Sequence, residues 1–161
     1  NKLIDDCSSQ IFSASNIIKS CFLNKGKIFW CGNGGSAGDA QHLATELMGG
    51  MTNHDRMPIP SIALTTDSSF LTAWSNDTDF DSIFSRQIQG LGEEGDLLVG
   101  ISTSGNSKNV IKAIRLAKKK GIKSFSILGF DGGECKKISD KAIHYKETDI
   151  QIKKDIKIKY L

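Results

Sequence analysis

The stretch DLLVGISTSGNSKNVIKAIRLAKKKG, residues 96–121, changes its hydrophobic period halfway along. Its first part, DLLVGIST (96–103), is a short apolar run with the length and residue types of a buried strand. Beyond a polar turn, Val110, Ile111, Ile114 and Ala117 fall on one face of a helix, with lysines in the last turn and Gly121 as a stop. KIFWCGN (27–33), SIALTT (61–66) and KSFSILGF (123–130) repeat the apolar run and its polar or glycine-containing exit, and KAIHYK (141–146) is a weaker fifth. Helix-like segments at 36–48, 68–74 and 80–91 lie between them. Strands that are apolar throughout and alternate with helices predict an α/β fold, a parallel sheet covered on both faces. Ligands of such sheets bind in a crevice at the carboxyl ends of the strands, where the polar turns of this chain fall.

Ahead of the first strand, Leu3, Cys7, Ile11, Ala14, Ile18 and Cys21 recur in steps of three and four, and Ile17 and Phe22 widen the stripe. A helix over 1–24 must cover that face with its own sheet or with another subunit. We read it as a helix that helps to build an oligomer.

The whole chain narrows the possibilities. Its 161 residues fit a single domain with a real core, at an ordinary 39% hydrophobic and 24% charged. No run approaches the roughly 20 apolar residues of a membrane helix. NKLIDDCSSQIF lacks the basic start and apolar stretch of a signal peptide, so a cytoplasmic protein without membrane contact is expected. Cys7, Cys21, Cys31 and Cys135 form no CxxC pair and read as small buried hydrophobes of a reducing compartment. The net charge is +3, carried by the lysine-rich residues 136–161. That excess has no clustered basic motif behind it, so nucleic acid is not an expected partner.

Three motifs can carry chemistry. STSGNS (102–107) places four hydroxyls and a glycine at the start of a helix, where a phosphate is favoured by the free N–H groups and the positive end of the dipole. The plainer alternative is a hydroxyl-rich cap, with Ser107 serving its own helix. No GxxxxGK[ST] occurs, which argues against nucleotide hydrolysis. CGNGGS (31–36) makes a second strand-to-helix turn, in which Asn33 offers an amide to a sugar hydroxyl, while Ser36 and Asp39 also fit a capping box. Asp39, His42 and Glu46 then share a helix face. His42 and Glu46, one turn apart, can hold a metal or move a proton, or can be an exposed polar pair.

Taken together, CGNGGSAGDAQHLATEL, SIALTTDSSFLTAWSND, FDSIFSRQIQGLGEEGDLLVGISTSGNSKNVIKAI and LGFDGG resemble the sugar isomerase (SIS) domain, and within it the phosphoheptose isomerases. They cover roughly residues 27–133 in the family's order. The resemblance implies a flavodoxin-like, doubly wound five-stranded parallel sheet with an N-terminal helix, and a homotetramer with pockets between subunits. It implies interconversion of sedoheptulose 7-phosphate and D-glycero-D-manno-heptose 7-phosphate, on the route to the ADP-heptose of lipopolysaccharide. Ser102, Thr103, Ser104 and Ser107 would hold the phosphate, and Asn33, Gly34, Gly35, Ser36 and Asp77 the sugar. His42, Glu46 and Gln151 would ligate one zinc, with Gln151 also touching substrate, Glu46 acting as the base and His42 beside it in the catalytic pair.

The chain departs from the family pattern in two places. Relatives carry a late helix with a Gln and then a His eight residues on; here Gln151 is followed at that interval by Lys159, and the expected core helix is incomplete. Gly50 stands where an arginine commonly follows the Glu-bearing helix. The other readings are a non-catalytic SIS module that binds sugar phosphates for regulation, including the kind that binds a replication initiator, and an isomerase of hexose or pentose phosphates. Glu46 argues against the initiator-binding kind.

Overall fold

The computed structural model describes residues 2–146, with side chains from Cys7 onward. Gln151 and Lys159 lie outside the described residues. The elements run α1 (Lys2–Leu23), β1 (Ile28–Gly32), α2 (Gly35–Gly49), β2 (Ser61–Ala63), α3 (Ser68–Asp77), a 3-10 turn (Phe80–Ser82), α4 (Ile83–Leu91), β3 (Leu97–Ser102), α5 (Lys108–Lys119), β4 (Lys123–Leu128), α6 (Gly133–Ile138) and β5 (Lys141–His144).

The five strands form one parallel sheet in the order β2-β1-β3-β4-β5, which is the flavodoxin-like arrangement expected of the family. After β1 the chain steps to one side for β2 and to the other for β3. The switch point therefore lies between β1 and β3, which pair from Ile28 with Leu97 to Gly32 with Ile101. Alternate side chains enter opposite layers. Phe29, Cys31 and Leu98 pack with Ile83, Phe84 and Ile88 of α4, Val110, Ala113, Ile114 and Ala117 of α5, and Cys135 of α6. Ile28, Trp30, Leu97, Val99 and Ile101 face the other way, onto Ala14 and Cys21 of α1 and Ala40, Leu43 and Ala44 of α2. Both faces of β1 and β3 are thus sealed, which explains their unbroken apolar runs.

The N-terminal stripe is divided. Cys7, Ala14 and Cys21 are buried, and α1 packs against β5 and β3 of its own sheet, while Ile11 and Phe12 remain exposed. Among the described residues no helix is long and apolar enough to cross a membrane.

Three local differences from the sequence reading have simple causes. The segment 80–91 begins as a 3-10 turn because the Ser82 hydroxyl bonds Asp79 at 2.9 Å and closes a tighter turn before α4. β2 is only three residues long. Its exit is closed by side chains, with Gln87 donating to the Leu64 carbonyl at 2.9 Å and Gln41 to that of Thr65 at 3.2 Å. Pro58 and Pro60 stand before it and supply no N–H to a ladder. The helix α6, with six residues, is too short to show a periodic signal.

Candidate active site

Ser102 ends β3 with its side chain buried. Its hydroxyl accepts the Gly105 N–H at 3.1 Å and pairs with the Ser107 hydroxyl at 3.1 Å, which closes the serine loop on itself. Gly105 has φ +67°, and a Cβ there would collide with the Gly132 carbonyl oxygen. Only glycine satisfies both conditions. The segment after β4 supports the loop from beneath. The Gly129 N–H donates to the Thr103 carbonyl at 3.1 Å and the Cys135 N–H to the Gly105 carbonyl at 2.8 Å. Asn106 donates to the Ser104 carbonyl and accepts from the Glu134 N–H at 3.0 Å.

Ser107 is the N-cap of α5 by position, yet its side chain makes no cap hydrogen bond. The Val110 N–H is taken instead by the side-chain oxygen of Asn109, at 2.9 Å. Ser107 therefore does not cap its helix, while the Ser102 and Ser104 hydroxyls accept the N–H groups of Gly105 and Asn106 within the loop. Ser107 belongs to the loop, and the Thr103 side chain, half-buried, makes no hydrogen bond among the described residues. A rigid, hydroxyl-lined helix start can receive an anion without rearranging.

The glycine turn is built differently. α2 starts at Gly35, with Gly34 as its N-cap at φ +55° and no side-chain cap bond. Ser36 lies inside the first turn, so the capping box that Ser36 and Asp39 could also have formed is not made, because the chain enters the helix two residues earlier. Asn33 reaches across to Asn109, and the two amides exchange hydrogen bonds of 2.9 and 2.8 Å. Asn109 is 2% exposed. Sequence reasoning did not single it out, since one asparagine beside an apolar stripe carries no periodic signal, and its partner lies 76 residues away.

Further along α2, His42 Nε2 and Glu46 Oε1 stand 3.8 Å apart, with His42 64% and Glu46 31% exposed at the side chain. The pair begins about 10 Å along the helix from its start, at 1.5 Å per residue. Asp77 ends α3, exposed, and accepts from the Asn76 amide at 2.8 Å. Among the described residues no hydrogen bond or ion pair joins Asp77 or the His42–Glu46 pair to either turn. The structure thus joins Asn33, at the head of the glycine turn, to the start of α5 just after the serine loop, and places His42 and Glu46 on the helix that the glycine turn begins.

Gly50 is a helix stop in the left-handed region, φ +98°, with its N–H on the Glu46 carbonyl. An arginine does reach this end of α2. The Arg56 guanidinium donates to the carbonyls of Glu46 at 2.8 Å and Leu47 at 2.7 Å.

The donor set suits a zinc ion in part. Two ligands of a tetrahedral zinc at about 2.1 Å lie roughly 3.4 Å from each other, close to the spacing of His42 and Glu46. A catalytic zinc takes three protein ligands. Among the described residues no three His, Cys, Asp or Glu side chains come together. Cys31 lies at the end of β1 and Cys135 directly below the serine loop. Burial pushes the Cys135 thiol up to about 11, with Glu134 adding to the shift, and pushes Cys31 well beyond that, with Cys135 adding. Neither is a nucleophile near neutral pH.

Residues 1–129 match the SIS domain family, and the chain belongs to it. It is 48% identical over 142 residues to a phosphoheptose isomerase of Nitratiruptor sp., covering 88% of this chain and 75% of that protein. With the phosphoheptose isomerase of Rhodospirillum rubrum it shares 46% over 145 residues, covering 90% and 77%. Among solved structures it is similar to a phosphoheptose isomerase of Neisseria gonorrhoeae, with a TM-score of 0.86, 39% identity and coverage of 98% of this chain and 82% of that one. One from Francisella tularensis gives 0.92 and 31%, covering 97% and 83%. Within the SIS family these likenesses make the chain an isomerase of the phosphoheptose isomerase kind.

Proposed function

We propose that the chain interconverts sedoheptulose 7-phosphate and D-glycero-D-manno-heptose 7-phosphate, the step that leads towards the ADP-heptose of lipopolysaccharide. The observation that carries this reading is the serine loop. Its hydroxyls are withheld from helix capping and held in place by the Gly129–Cys135 segment, an arrangement suited to a substrate phosphate. Asn33, Gly34, Gly35 and Ser36 would meet the sugar beside it, and Asp77 would meet it from a neighbouring element.

The reaction moves one proton from C1 to C2 through an enediol, while a hydroxyl proton passes from O1 to O2, so no other reactant is consumed. Glu46 is the base that carries the carbon-bound proton, and His42, one helical turn away, is placed to exchange the hydroxyl proton. Zinc held by His42, Glu46 and Gln151 would supply positive charge for the developing oxyanion. The exposure of His42 and Glu46 fits a pocket completed by a second subunit, and so a homotetramer in which α1 pairs subunits through Ile11 and Phe12. On this reading the whole chain is one SIS domain. Four buried cysteines that form no disulfide suit a cytoplasmic enzyme.

Turnover of sedoheptulose 7-phosphate, measured with and without added zinc, tests the proposal. Zinc-dependent turnover that falls at least about a thousandfold in Glu46→Gln, with fold and phosphate binding retained, supports it. Near-normal turnover in that variant removes Glu46 from the role of base. Sugar-phosphate binding without turnover favours the regulatory module.

A further inference from the structure

We propose that Asn109 is a positioning residue. It clasps the glycine turn to the serine loop across the switch point and fixes which groups Asn33 presents to the sugar. This rests on the reading of Asn33 as a sugar contact.

The Val110 N–H donates to Oδ1 of Asn109, which settles the orientation of that amide. Nδ2 of Asn109 must then face Asn33, where it donates to Oδ1 at 2.8 Å, and Asn33 Nδ2 returns a bond of 2.9 Å. Each bond fixes the next. Both lone pairs of the Asn109 oxygen are consumed, whereas half-buried Asn33 keeps one N–H and one lone pair on the side away from Asn109. Asn33 thus offers one donor and one acceptor in a set order, and cannot exchange them without breaking a pair that is 2% exposed on the Asn109 side. The same clasp ties Asn33, at the end of β1, to the start of α5, so the sugar and phosphate subsites keep a constant spacing. Reciprocal amide bonds between the glycine turn and the first turn of α5 are not needed to hold β1 to β3, which the sheet ladder already joins.

Calorimetric titration of the full chain with sedoheptulose 7-phosphate and, separately, with inorganic phosphate tests this. In Asn109→Ala the sugar phosphate should bind about tenfold more weakly, while inorganic phosphate changes less than about twofold. The double variant with Asn33→Ala should be no worse than Asn33→Ala alone, because both substitutions remove one interaction. Should Asn109→Ala not fold, Asn109→Asp keeps the acceptor for Val110 and the shape of the pair. Its charge weakens both ligands, so the ratio of the two affinities remains the readout and should again drop about tenfold. An unchanged ratio, or additive losses in the double variant, overturns the role of Asn109 and leaves the isomerase reading standing. If the unsubstituted protein binds the sugar phosphate no tighter than inorganic phosphate, there is no sugar subsite, and both fail together.

Discussion

The serine loop and the glycine turn occupy equivalent places, each joining a central strand to a helix at the same end of the sheet, yet they are built on opposite plans. The serine loop is braced by hydrogen bonds within it and from the segment after β4: Ser102 to Ser107, Gly129 to Thr103, Glu134 to Asn106, Cys135 to Gly105. In the glycine turn Gly34 and Gly35 are exposed, Gly34 has no side-chain cap bond, and Asn33 is clasped from outside by Asn109. A phosphate does not change during isomerisation, so a fixed receptor suits it. On the proposed reading the glycine turn meets the sugar, where groups must stay accessible to substrate. On that reading, rigidity is placed where the substrate is inert.

This contrast can be broken most forcefully at Gly105. Gly105→Ala combines a positive φ with a collision against backbone, and should cost at least about 3 kcal/mol or prevent folding, read as a drop in the thermal midpoint and lost phosphate binding. A midpoint close to that of the unsubstituted protein would mean that the loop is not braced as described.

Alkaline pH should act on the same loop next. Burial favours the neutral thiol, so Cys135 loses its proton near pH 11 in the folded protein, against an ordinary 9.0. This contribution is complete below about pH 9 and is lost as pH rises to about 11, by up to about 1.4 kcal/mol per unit. Denaturant midpoints should fall across that window, and Cys135→Ala should make the fall shallower by its own share. Cys31, beside the glycine turn, is pushed higher and Cys21 as far as Cys135, so both thiols, which ionise only in the unfolded chain across this window, add to the fall. An equally steep fall in Cys135→Ala would assign the alkaline loss to other groups.

The smallest effect belongs to Gly34→Ala. Its φ is also positive, but nothing lies within 4 Å of the added carbon. The backbone alone, φ +55° with ψ −120° and so outside the left-handed helical region, should cost about 1–3 kcal/mol. A loss as large as that of Gly105→Ala would erase the distinction between the two turns.

The order and kind of the elements were legible because β1 and β3 are buried on both faces and α5 on one, and burial leaves a period in the sequence. The serine loop was legible because so many hydroxyls at a helix start exceed the needs of a cap, and Ser107 proved not to cap at all. Of the two readings open for Ser36, the capping box is not formed, because [ST]-x-x-[DE] describes a pattern of residues and not the position at which the chain turns into the helix. Asn109 and Arg56 were invisible for a common reason. Each acts on a distant or looped-back partner through side-chain hydrogen bonds, which leave no spacing to read.

The short strand β2 forms one rim of the sheet. Three residues, two prolines ahead of it and glutamine side chains on the carbonyls beyond it leave little open ladder for a foreign strand to extend. Copies of the chain that associate are steered away from strand-to-strand joining and towards helical faces, and the rim gives a misfolded neighbour a poor template for aggregation.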